Sequence, residues 1–127
     1  MVLLEGVAAY MAVESLMEQE CPYKTAHALI LIKKKLRPHV EFFAQEEKKL
    51  VELYGQRDEK GNICLEGRSF RFRSDVDPRE YERKRAELCD VEIEEVFEKV
   101  HAPTPAVISP AHLEALEKFI IFEERTI

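Results

Sequence analysis

The sequence lacks every short motif that marks a common catalytic class. No Walker-type phosphate loop, GxGxxG turn or GxSxG elbow occurs in its 127 residues. That excludes the nucleotide-cradling and serine-hydrolase chemistries that depend on those backbone geometries. Cysteine is sparse: Cys21, Cys64 and Cys89 are odd in number and none pairs at CxxC spacing. Zinc knuckles and dithiol redox pairs both require that spacing, so reduced thiols in a cytoplasmic protein are expected. The four histidines, His27, His39, His101 and His112, include no i,i+4 pair, so no helical metal site is predicted and no cofactor is expected. A global basic excess is missing too, since the net charge is −6, and with it the overall footprint of a nucleic-acid binder. The stretch from Met1 to Met17 is apolar, yet it carries Glu5 and Glu14 and no basic residue. It therefore fails as a secretory leader, and it is too interrupted to span a membrane. Internal repeats and low-complexity segments are absent.

What is present reads as a globular scaffold. Hydrophobic residues make up 46% and charged residues 35%, the balance of a folded chain with a charge-rich surface. This length predicts one domain over 1–127, able to bury about two thirds of its unfolded surface. Within it, 1–55 reads as a helical hairpin and 56–127 as a mixed strand and helix portion. Residues 2–19 carry an apolar helical stripe of Leu3, Val7, Tyr10 and Met17. Pro22 suits the first turn of a second helix reaching Tyr54, which would be about 50 Å long. Pro38 predicts a kink or break near Arg37. Along the second helix, Leu36, Val40, Phe43, Glu47, Leu50 and Tyr54 fall at alternating steps of four and three, the spacing of a seam that packs on a partner helix.

Beyond Tyr54-Gly55 the chain turns at Asp58-Glu59-Lys60-Gly61-Asn62. A calcium loop would need a ligand at its third position and glycine at its sixth, but Lys60 and Ile63 stand there. A polar turn with Gly61 at positive φ is predicted instead. Residues 62–73 read as strand, divided by Glu66-Gly67 into Asn62–Leu65 and Arg68–Arg73, with Phe70 and Phe72 facing the core opposite Arg71 and Arg73. Asp77-Pro78-Arg79-Glu80 is a helix start with a cap, a proline at the first position and a capping-box glutamate. Val91 to Val100 reads as a strand whose period slips at Glu94-Glu95, through a bulge or a brief helical turn. His101 to Ile108, with Pro103 and Pro105, reads as an extended loop. Ser109-Pro110 starts a last helix with Leu113, Leu116, Phe119 and Ile120 as its buried stripe. The tail Ile121-Phe122-Glu123-Glu124 either completes that helix or adds a short strand. The predicted fold class is α+β: a helical hairpin with a long second helix, a small antiparallel sheet and two further short helices.

Candidate sites are few. Residues 67–85 hold seven basic and four acidic groups, a local +3, with Phe70 and Phe72 interleaved among arginines. Arg68, Arg71, Arg73 and Arg83 are thus candidates for contact with an anion or with single-stranded nucleic acid. A solvated strand face held by ion pairs is the plainer reading. Residues 86–127 hold three basic and ten acidic groups, so head-to-tail association through the two segments is an alternative. Cys89 and His101 are a nucleophile and a base in residue type alone. The adjacent carboxylates Glu46 and Glu47 point to different helix faces and make no dyad. Val40, Phe43, Leu50 and Tyr54, or Leu3, Val7 and Tyr10, are candidates for an apolar interface. The same seam could instead close within one chain.

Three stretches together carry a resemblance: Ala28-Leu29 through Tyr54 with Glu46-Glu47-Lys48-Lys49-Leu50, then Asp58-Glu59-Lys60-Gly61-Asn62-Ile63, then Ile108-Ser109 through Phe122-Glu123-Glu124. In that order the chain resembles small uncharacterised proteins, a domain of unknown function, encoded by phages and prophages of Gram-positive bacteria. The resemblance implies a bacterial cytoplasm or virion-assembly setting and a non-enzymatic role. No catalytic residue is implied. The expected function is that of an accessory protein acting through protein–protein contact, in assembly or in modulating a host factor, with a second copy among the possible partners. Nucleic-acid binding through 68–85 is the alternative. No membrane and no small-molecule substrate is expected.

Overall fold

The computed structural model describes residues 1–123. It has the expected α+β architecture. A helical hairpin of α1 (Leu3–Leu16) and α2 (Tyr23–Tyr54) leads to a two-stranded antiparallel hairpin, β1 (Leu65–Glu66) and β2 (Ser69–Phe70). Helix α3 (Pro78–Cys89) follows. A strand–helix–strand unit of β3 (Val100–Pro103), α4 (Pro110–Leu116) and β4 (Ile120–Glu123) completes the described chain.

Small residues set the hairpin. Gly6, Ala9 and Ala12 are buried on α1, and Ala9 and Ala12 share a cluster with Ala28, Leu29, Ile32 and Leu36 of α2. Gly6 lies close under Ile93, since a Cβ there would stand 3.0 Å from Cδ1 of Ile93 and that side chain would have to shift by a few tenths of an ångström. Pro22 caps α2 rather than entering its first turn, and Tyr23 is the first helical residue. At 1.5 Å per residue α1 is about 21 Å long and α2 about 48 Å, so α2 runs well past its partner.

Pro38 neither ends nor divides α2, which is one helix of 32 residues. Proline removes the single bond to the carbonyl of Lys34. Lys34 and Pro38 are both exposed, so water can take the freed carbonyl.

Two clusters form along α2. The first joins α1 and the early half of α2 to Ala102, Leu116, Phe119 and Ile120. The second gathers Leu3, Phe43, Leu88, Cys89 and Ile93. Beyond it lies an aromatic group in which Tyr81 meets Tyr54, Phe70 and Phe72 with ring centroids 5.9, 5.1 and 5.3 Å away.

Several strand expectations are corrected. Within 62–73 the named strands are only two residues long on each side of Gly67, although Arg71 N–H also donates to Cys64 O at 2.9 Å and single bridges join Ile63 to Arg57 and Phe72 to Gly55. Gly67 has φ of 61°, and among the described residues only glycines have positive φ, so Gly67-Arg68 has the glycine-first pattern of a type II′ hairpin. Val91 to Lys99 is not a strand. It lies against the start of α1 through Leu3 N–H to Val91 O at 2.7 Å and Ile93 N–H to Met1 O at 2.8 Å, with one bridge between Val2 and Glu92. The first residues of the expected loop His101–Ile108 belong instead to β3, which pairs in parallel with β4, Val100 opposite Ile120 and Pro103 opposite Glu123. Pro103 is tolerated because it ends the strand, and α4 supplies the crossover that a parallel pair requires.

The stripe proposed for the last helix is also corrected. Leu116 is buried but Leu113 is 47% exposed, and the helix ends before Phe119 and Ile120, which reach the core from the following turn and from β4. Ile121, Phe122 and Glu123 take the strand alternative, while Glu124 lies outside the described residues.

The polar turn and two helix caps form as expected. Gly61 has φ of 82°, and Asp58 Oδ1 accepts the N–H groups of Lys60 and Asn62. Asp77 Oδ1 accepts Arg79 N–H at 3.0 Å, and Ser109 Oγ accepts His112 N–H at 3.2 Å. Glu80 does not close a capping box, because its carboxylate accepts Tyr54 O–H at 3.0 Å.

Candidate functional site

The seam of α2 closes onto other parts of the same chain. Phe43 is buried with Leu3, Leu88, Cys89 and Ile93, and Leu50 packs against that group. Tyr54 is 3% exposed and Val40 is half-buried. Glu47, the polar member of the seam, accepts Nε and Nη2 of Arg85 at 3.3 and 3.1 Å. On the other candidate face, Leu3 is buried and Val7 and Tyr10 are partly buried against the two clusters. Neither set forms an open apolar stripe.

The arginines of the basic segment separate into two kinds. Arg71 lies 4.0 Å from Glu66 and Arg73 lies 3.2 Å from Asp75. Arg79, Lys84 and Arg85 likewise face Asp77, Glu80 and Glu47. Among the described residues no ion pair reaches Arg68 or Arg83. Phe70 is buried and Phe72 half-buried, their centroids 4.8 Å apart, so neither ring lies open for base stacking.

A second basic run was missed. Residues 21–40 contain Lys24, Lys33, Lys34, Lys35 and Arg37 and no acidic residue, a signal that a charge count of that window would have found. Lys33 faces Glu14 at 3.7 Å, and Lys35 lies 6.0 Å from the Phe97 ring centre. Lys34 and Arg37 are exposed, and no partner is found for either among the described residues.

Two hollows are better formed than either expected site. Between α1 and α4 a hollow of about 360 Å³ is lined by Ala8, Ala111, Ala115 and Phe119. Lys118 Nζ to Glu5 Oε2 at 2.6 Å crosses it, and that hydrogen bond holds the Glu5 carboxyl below its usual range. Leu4, Met11 and Leu113 are 45, 63 and 47% exposed on the same two helices. The other hollow lies under the β1–β2 hairpin, bounded by Glu47 and Val51 of α2, by Tyr81 and Arg85 of α3, and by Leu65, Arg68 and Phe70.

Cys89 and His101 are not brought together. Cys89 is buried in the second cluster beside Arg85, whereas His101 is exposed and faces Glu123 at 3.6 Å. Among the described residues no three His, Cys, Asp or Glu side chains gather as a metal site, and no helix is long and apolar enough to cross a membrane. No family model, no curated protein and no solved structure matches the chain.

Proposed function

We propose that this chain is a non-catalytic accessory protein, of the phage or prophage setting its sequence resembles, that works by contacting another protein through the face shared by α1 and α4. The exposure of Leu4 and Met11 on α1 and of Leu113 on α4, the two helices that bound an alanine-lined hollow, carries the reading. Full burial of such side chains gains about 1.5–3 kcal/mol each, and small residues in the floor allow a partner backbone to approach. Glu5, Glu114 and Glu117 at the rim outnumber Lys118, which favours a partner with a basic flank. The test is crosslinking in the native host cell from a photoreactive side chain placed at position 11. The expected result is one protein species, lost with Leu113→Glu and kept with Lys99→Ala. Diffuse labelling that Leu113→Glu leaves unchanged would sink the reading. A crosslink to a second copy, with a salt-insensitive dimer mass by light scattering, would make the partner the chain itself.

A second reading is nucleic-acid binding, favoured by the exposed Lys34 and Arg37 on an acid-free stretch of α2. It requires affinity for a short oligonucleotide that falls steeply with salt and weakens in a Lys34→Glu, Arg37→Glu variant. Absence of binding at low salt removes it.

A further inference from the structure

We propose that the cleft under the β1–β2 hairpin binds a small aromatic anion, an aryl carboxylate or aryl phosphate. The cleft measures about 370 Å³, within the size range of small-ligand pockets. Its apolar walls are Val51, Leu65, Phe70 and Tyr81. Leu65 is 81% exposed, so a ligand ring would cover apolar surface that the fold leaves wet. Phe70 and Tyr81 meet edge to face, the arrangement into which a further aromatic ring packs favourably.

The polar groups point to an anion. Arg68 sits at the tip of the hairpin, in the two-residue turn opened by Gly67, and no carboxylate pairs with it among the described residues. Arg85 is held in place by Glu47 and by a contact from Nη1 to Cys89 Sγ at 3.8 Å. A guanidinium has five N–H groups, and three of them serve those contacts, leaving two. Tyr81 O–H has no acceptor among the described residues and offers a further donor. Glu47 offsets the charge of Arg85, so the net positive charge of the cleft rests on Arg68. An anion with no apolar body would leave the walls uncovered, and a neutral ring would leave Arg68 unmatched.

The test is a titration of the whole protein, followed by backbone amide NMR, with phenyl phosphate and with benzoate. Inorganic phosphate and phenol serve as the charge-only and ring-only probes. Saturable shifts confined to 65–70 and to the neighbourhood of Tyr81 and Arg85 are expected for one or both aryl anions, and the tighter of the two identifies the anionic group. Inorganic phosphate and phenol should each bind at least about tenfold more weakly, the loss of one charge-assisted contact or of one ring contact. Arg68→Ala should weaken the aryl anion by about tenfold. This residue is exposed and lacks a described partner, so the variant keeps its fold. Lys99→Ala should change nothing. The proposal is overturned by inorganic phosphate binding as tightly as phenyl phosphate, by unchanged affinity in Arg68→Ala, or by no saturable shift up to about 10 mM.

Discussion

The two halves of α2 are stabilised differently although they share one helix and one period. The early half buries Ala28, Leu29, Ile32 and Leu36 against α1, β3 and the segment after α4, an aliphatic packing in which alanines bring backbones close. The late half buries fewer aliphatic side chains. It relies on the Tyr54–Tyr81–Phe70 ring group, on Tyr54 O–H to Glu80 and on the half-buried Arg85–Glu47 pair. Dense aliphatic packing leaves little room for a ligand. Ring edges and fixed polar groups leave both room and donors, and the cleft with Arg68 lies at the late half. Met1 and Phe97 each pack on both clusters and link them.

That contrast can be broken by experiment. The largest effect is expected from Leu29→Ala, fully buried in the early half: a loss of about 3–4 kcal/mol in urea unfolding, from transfer plus cavity. Tyr81→Ala should cost about 2 kcal/mol. Hydrogen exchange should then quicken over 43–54 and 78–89 while amides of 25–36 keep their protection. Equal loss of protection in both halves would show a single cooperative unit and end the comparison. Thr25→Val sharpens the account of the early half. Thr25 is buried and its hydroxyl donates to Pro103 O at 3.0 Å, so the isosteric change should cost about 1 kcal/mol.

The smallest effect is pH-dependent. Glu5 in the folded protein lies below its usual 4.5, chiefly through its hydrogen bond from Lys118. A depressed carboxyl contributes stability above the unfolded value and loses it as pH falls through the folded value. Acid should therefore erode stability below about pH 4.5, and Lys118→Met should flatten that part of the curve. Because the pair is solvent-screened, the change should stay within about 0.5 kcal/mol.

The readable parts of the fold were those fixed by neighbours in sequence. Asp77-Pro78 and Ser109-Pro110 begin helices because a side-chain oxygen two or three residues away satisfies an N–H. Gly61 takes positive φ for similarly local reasons. The β3–β4 pair was not readable, since its strands are four residues long, one ends in proline, and register is set across α4. Periodicity showed which face of α2 is apolar but not that α3 would cover its late half. The cleft was hidden for the same reason. Arg85 and Glu47 are 38 residues apart, and no linear spacing announces their meeting beside Arg68.

Pro38 acquires a consequence from where it falls. It stands between Leu36, the last buried residue of the early half, and Phe43, the first of the late half. A helix melts rung by rung because each bond supports the next, and here one rung is missing at the border of the two clusters. Fraying that begins at Tyr54 passes Phe43 and its contact with Leu3, then meets a ready-made stopping point before it reaches the first cluster. The unbroken rod thus carries one missing rung at the border of its two clusters, and hydrogen exchange that opens the late half first would trace that line.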